Sequence, residues 1–102
     1  MYRASDRVDN AEWVDRIDDA RESLDLDDEA FTTATDLFLS AVPDEERSKP
    51  AAAAASLYAA ALITGQERAQ ATVADAMDVS RLSVQKRWKP ILDDAGFSPP
   101  TW

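Results

Sequence analysis

Residues 70–89 read Gln-Ala-Thr-Val-Ala-Asp-Ala-Met-Asp-Val-Ser-Arg-Leu-Ser-Val-Gln-Lys-Arg-Trp-Lys, and this stretch decides the fold. Val73, Ala74 and Met77 stand at the spacing of one helix face, and Val84 and Trp88 at the spacing of another. Asp78-Val79-Ser80 lies between them. It offers a residue that tolerates a turn, an apolar residue to plug it, and a hydroxyl to cap the helix that follows. The pattern is that of two short helices joined by a tight turn, a helix-turn-helix. From Arg81 to Lys89 the second of these helices carries Arg81, Lys86, Arg87 and Lys89 and no acid. Uncompensated cations gathered on one helix point to a surface that faces phosphates.

The rest of the chain makes this local reversal of charge meaningful. Twenty Asp and Glu oppose 11 Lys and Arg, for a net charge of -9. The first 45 residues hold 14 acids and 4 bases, whereas residues 46–102 hold 6 acids and 7 bases. The acidic part repels nucleic acid, so a contact surface has to lie in the second part. Only 3 of the bases are Lys and 8 are Arg. Acid-rich, lysine-poor usage resembles that of proteins adapted to high intracellular salt, and the alternative is an ordinary acidic mesophilic domain.

A chain of 102 residues forms one domain and buries about two-thirds of its unfolded surface. It has no Cys and no His, which excludes zinc fingers, Cys or His nucleophile systems and most transition-metal sites. Two glycines, Gly65 and Gly96, cannot make a Gly-rich phosphate loop. The many carboxylates read as solvated surface, so no catalytic set is assembled and neither an enzyme nor a cofactor is expected. Apolar runs such as Ala51 to Ala55 are too short to span a bilayer, and no secretory leader opens the sequence. A soluble, cytoplasmic protein is the expectation.

Helices are expected almost throughout. Trp13, Ile17, Ala20 and Leu24 recur at helical spacing behind Asn10, which predicts a first helix over residues 11–24 with Asp15, Asp18, Asp19 and Glu22 outside. Asp27, Asp28 and Glu29 favour a second helix start, followed by the stripe Ala30, Ala34, Leu37, Phe38 and Ala41 and stopped by Pro43. A third helix over about 50–64 begins with Pro50 and stops at Gly65. It carries no charge and is rich in alanine, so it reads as the central helix with the other four around it. Gln66-Glu67-Arg68 reads as an exposed link. Pro90 is expected to kink or break the fifth helix, with Ile91, Leu92, Ala95 and Phe97 packing back on the core. Residues 1–9 read as an extension, 10–96 as the domain and 97–102 as a tail that docks Trp102 on the domain or offers it to a partner.

Three features carry a family resemblance: the Lys49-Pro50 opening of the alanine-rich helix, its Ala-Ser-Leu-Tyr-Ala-Ala-Ala-Leu run, and the Gln…Val-Ala…Val-Ser…Ser-Val…Arg-Trp-Lys pattern of residues 70–89. With Trp13-Val14-Asp15-Arg16 in the first helix, they resemble a cyclin-like repeat of archaeal transcription factor B, the relative of eukaryotic transcription factor IIB. The resemblance covers about residues 10–96. It implies an all-α, five-helix cyclin-like domain whose C-terminal helix-turn-helix enters promoter DNA beside the TATA-binding protein. Full-length members carry two such repeats behind a zinc ribbon. Here one repeat and no ribbon cysteines are present, which implies a stand-alone repeat.

The chain departs from the family pattern at four places. Ala69 stands for a capping Thr, Asp78 for a turn glycine, and Pro90 has no counterpart. The run Thr-Val-Arg-Asn-Arg-Tyr appears as Ser83-Val84-Gln85-Lys86-Arg87-Trp88, so the base-reading Arg is replaced by Gln85, a side chain that favours adenine over guanine. On this reading Arg81, Leu82, Gln85 and Lys86 lie near base edges with Ser83 in the same turn. Arg87, Lys89 and Lys49 meet phosphates. Two other readings compete. Arg81, Lys86 and Arg87 could instead pair with Asp78, Asp93 and Asp94. Alternatively, the acidic face of residues 12–29 could make the chain a protein-interaction module that modulates the transcription machinery without touching DNA.

Overall fold

A helix end leaves backbone groups without partners, and this chain meets that demand with side-chain caps and with residues in the left-handed region. The computed structural model describes residues 9–96. Among them are α1 (Ala11–Ser23), α2 (Asp28–Ser40), a 3-10 turn (Glu46–Ser48), α3 (Lys49–Ile63), α4 (Gln70–Ala76) and α5 (Arg81–Asp94), with no strand. The all-α, five-helix expectation holds. Residues 1–8 and 97–102, including Phe97 and Trp102, lie outside the described residues.

Three helices end in the same way. After α1, Asp25 takes φ 58°, and Leu26 N donates to Arg21 O at 3.0 Å while Asp25 N donates to Glu22 O at 3.1 Å. After α3, Gly65 takes φ 76°, and Gln66 N reaches Ala61 O at 2.8 Å. After α4, Asp78 takes φ 58°, and Val79 N reaches Ala74 O at 2.9 Å. This double closure satisfies two terminal carbonyls and reverses the chain. Asp78 thus occupies the left-handed turn position assigned to it. Val79 packs against the core but is only half-buried.

The core is organised by α3. Every residue from Ala52 to Ala61 is buried, and α3 meets all four other helices, most extensively α2 and α5. Alanine makes this possible, because a helix covered on all sides leaves no room for long side chains. Larger residues arrive from outside: Trp13 and Ile17 from α1, Leu37 and Phe38 from α2, Val73 from α4, and Val84, Trp88 and Leu92 from α5. The Trp88 ring meets Tyr58 of α3 edge-on, with centroids 5.4 Å apart and planes at 71°. That contact seats α5 on the core.

Two expectations about the C-terminal part are corrected. Pro90 neither breaks α5 nor ends it, since the helix continues to Asp94. Lys86 and Pro90 are both exposed, so water can take the carbonyl that Pro90 leaves without a donor. Immediately beyond, Ile91 and Leu92 are 7% and 1% exposed, and burying two such side chains contributes about 1.5–3 kcal/mol each, enough to hold the last turn. Ala95 is exposed instead of packing back on the core, because the helix has already ended.

The link after α3 is also more than an exposed connection. Gln66 Oε1 accepts from Asp27 N at 3.0 Å, and its Nε2 donates to Asp27 Oδ1 at 2.9 Å. Arg68 Nε donates to Leu24 O at 3.0 Å, and another guanidinium nitrogen reaches Asp25 O at 3.2 Å. Two side chains of the link therefore tie the α1–α2 corner to the approach to α4.

Candidate nucleic-acid interface

α4 and α5 are joined by a tight turn at Asp78-Val79. Ser80 caps α5 by accepting from Ser83 N at 3.2 Å, and its hydroxyl lies 2.9 Å from that of Ser83. Ala69 heads α4 without a side-chain cap, as the loss of a hydroxyl there implies. Val84, Trp88, Ile91 and Leu92 are buried, which turns positions 82, 85, 86 and 89 toward solvent on the opposite face.

The structure brings most of the candidate residues onto that face. Arg81, Leu82, Gln85, Lys86 and Lys89 are exposed, while Ser83 and Arg87 are half-buried at its edge. Leu82 is 51% exposed, an outlying leucine beside cations and therefore a ready apolar contact. Lys89 Nζ sits 5.4 Å from the Trp88 ring centroid, so its stem lies along an anchored indole. Lys86 and Arg87 line an open groove of about 410 Å³ with Ala41, Ala52, Pro90, Ile91 and Asp94. Lys49 stands apart from this group, at the start of α3, 17% exposed and paired with Glu46 at 3.2 Å.

The four cations of α5 are not neutralised by local acids. Among the described residues the ion pairs engage Arg16, Arg21, Arg47 and Lys49, and none includes Arg81, Lys86, Arg87 or Lys89. Pairing with Asp78, Asp93 and Asp94 is not what the structure shows. Arg81 turns instead to neutral groups: one guanidinium nitrogen, NH1, donates to Gln85 Oε1 at 3.0 Å and to Gln70 Oε1 at 3.5 Å. Gln70 was not legible as part of the site. It lies eleven residues before Arg81, on the other helix of the pair, and only the angle between α4 and α5 brings the two together.

The assembled face can supply four positive charges to an array of phosphates, with an amide and an apolar side chain between them. No match was found among curated proteins. The family model of the transcription factor TFIIB repeat matches residues 9–94.

Proposed function

The chain belongs to the transcription factor TFIIB repeat family, and from that membership we propose that it is a DNA-binding transcription regulator whose α5 enters the major groove of promoter DNA. The observation that carries this reading is the exposed face of α5, whose cations make no ion pairs among the described residues of a protein with net charge -9. Arg81, Leu82, Ser83 and Gln85 face the bases, and Lys86, Arg87 and Lys89 hold phosphates. Lys49 joins them only by leaving Glu46. Its helix flanks the groove that Lys86 and Arg87 line, since Ala52 lies one turn beyond it.

About three phosphate contacts give a salt slope near -2.7, and affinity then falls about fortyfold between about 50 and 200 mM salt. In concentrated salt the contacts of one helix are weak, so the protein acts with a second contact inside the transcription machinery, and the TATA-binding protein on the same promoter fits that need. The test is a titration of duplex DNA across salt with the wild type and with Lys86→Ala/Arg87→Ala. Loss of two phosphate contacts lowers the slope by about 2. Equal binding and equal slopes for the two proteins would overturn the reading. If the wild type fails to bind duplex DNA even at low salt, the exposed acids of α1 become the better candidate surface, engaging a basic protein partner.

A further inference from the structure

The family resemblance puts Gln85 in the place of a base-reading Arg, near the base edges with Arg81, Leu82 and Lys86, and a glutamine there favours adenine. The hydrogen bonds around it point elsewhere. An arginine has only donors, so the Gln85 atom 3.0 Å from Arg81 is the amide carbonyl, and the same holds for Gln70 at 3.5 Å. To read adenine a glutamine must turn this carbonyl to the base N6 amino group while its NH2 meets N7. In Gln85 the carbonyl is aimed at Arg81.

The consequence for Arg81 is equally specific. Both glutamines are met by its NH1 nitrogen, and among the described residues its NH2 and Nε groups have no hydrogen-bond partner. These two groups form one edge of the planar guanidinium, a pair of parallel donors. Guanine presents a matching pair of acceptors, O6 and N7, in the major groove, whereas adenine presents one donor and one acceptor. The acceptors that hold Arg81 are neutral, so its charge remains available to DNA, and holding NH1 in advance limits the rotamer freedom lost on binding. Resting on the reading of α5 as a major-groove helix, we propose that Arg81 is the base-reading residue and selects guanine. Gln85 and Gln70 are positioning residues that orient it.

The experiment is selection from a duplex pool with randomised central positions, at one fixed moderate salt, using the wild type, Arg81→Ala, Gln85→Met and Gln85→Glu. The readout is the ratio of guanine to adenine at each position, which is internal to each protein and independent of its overall affinity or stability. The wild type enriches guanine at one position by about fivefold or more, the discrimination of a single bidentate contact. Arg81→Ala abolishes that enrichment. Gln85→Met, similar in length but without the carbonyl, reduces it severalfold, and Gln85→Glu, which restores an acceptor at the same place, recovers it. Adenine enrichment that survives Arg81→Ala and vanishes in Gln85→Met would overturn the proposal in favour of Gln85 as reader. Guanine enrichment unchanged in Gln85→Met would overturn the positioning role. DNA retained without any base preference defeats this proposal alone, and no DNA retained by the wild type defeats the DNA-binding reading as well.

Discussion

In α1 and α2 the charges run with the helix dipole. Glu12 stands in the first turn of α1 and Arg21 in its last, and α2 opens with Asp28 and Glu29 after Asp27, whose carboxylate accepts from Ala30 N at 3.0 Å. α5 is arranged in the opposite sense: Arg81 opens it, Asp93 and Asp94 close it, and its first turn holds no acid and its last no base. Each such placement costs about 0.3–1 kcal/mol where its reverse contributes as much. The cations are also disposed differently. Arg21 is engaged by Asp18 at 2.6 Å, by Glu22 at 3.5 Å and by Asp28 at 3.9 Å. Among the described residues the bases of α5 have no such ion-pair partners. The contrast teaches that the acidic corner is arranged for folding and solubility, whereas α5 carries a charge pattern that folding does not favour and that an external anion would.

The largest test of the contrast removes the seat of α5. Trp88→Ala deletes a side chain only 7% exposed and its edge contact with Tyr58, at a cost of about 3–5 kcal/mol. Urea denaturation should show this loss, and a loss under about 1 kcal/mol would mean that α5 is held by something other than its apolar face. Next in size is Arg68→Ala on the acidic side. The guanidinium bonds the carbonyls of Leu24, Asp25, Gln66 and Glu67, so its removal leaves acceptors at two turns without their donor and costs about 1.5–3 kcal/mol. A variant as stable as the wild type would show that the link does not brace the corner.

A smaller effect is expected from pH at the cap of α2. The Asp27 carboxylate is held below its ordinary pKa, first by the hydrogen bond from Ala30 N and then by that from Gln66. A carboxylate with a depressed folded pKa contributes stability that is complete above its unfolded value and is lost as pH falls through the folded value. Melting temperature should therefore fall on acidification through the lower carboxylate range, and less steeply in Asp27→Asn, which keeps an acceptor but does not titrate there. Identical slopes for the two proteins would remove Asp27 from the account of acid stability.

How much of this was legible beforehand depended on the range of the interactions. The two helices joined at Asp78-Val79, the Ser80 cap and the central place of α3 follow from residues within a few positions of one another, and each could be read directly. The unbroken course of α5 could not. The local penalty of Pro90 is evident in the sequence, but the burial of Ile91 and Leu92 that outweighs it is a property of the assembled core. Arg68 and Gln66 likewise find partners about forty residues away, so a polar tripeptide looked like a solvated link. On the candidate face of α5 the cations were evident from the sequence. The direction of Gln85, however, is set by Arg81 and shared with Gln70 across two helices, and no spacing rule contains it.

The smallest predicted effect isolates the dipole itself. Arg81→Glu places an acid in the first turn of α5, where α1 and α2 already have theirs, and should raise stability by about 0.3–1 kcal/mol in urea unfolding at low ionic strength. The gain should disappear in concentrated salt, which screens exposed charges beyond a few ångströms. The same substitution reverses the charge at the proposed guanine-reading position, so DNA binding should be lost as stability rises. Opposite movement of the two quantities is the expected result. If Arg81→Glu instead destabilises the protein at low salt, the hydrogen bonds from Arg81 to Gln70 and Gln85 contribute more to holding α4 against α5 than the dipole takes away. The basic end of α5 would then be a structural joint, and its contrast with the acidic corner would no longer speak for DNA.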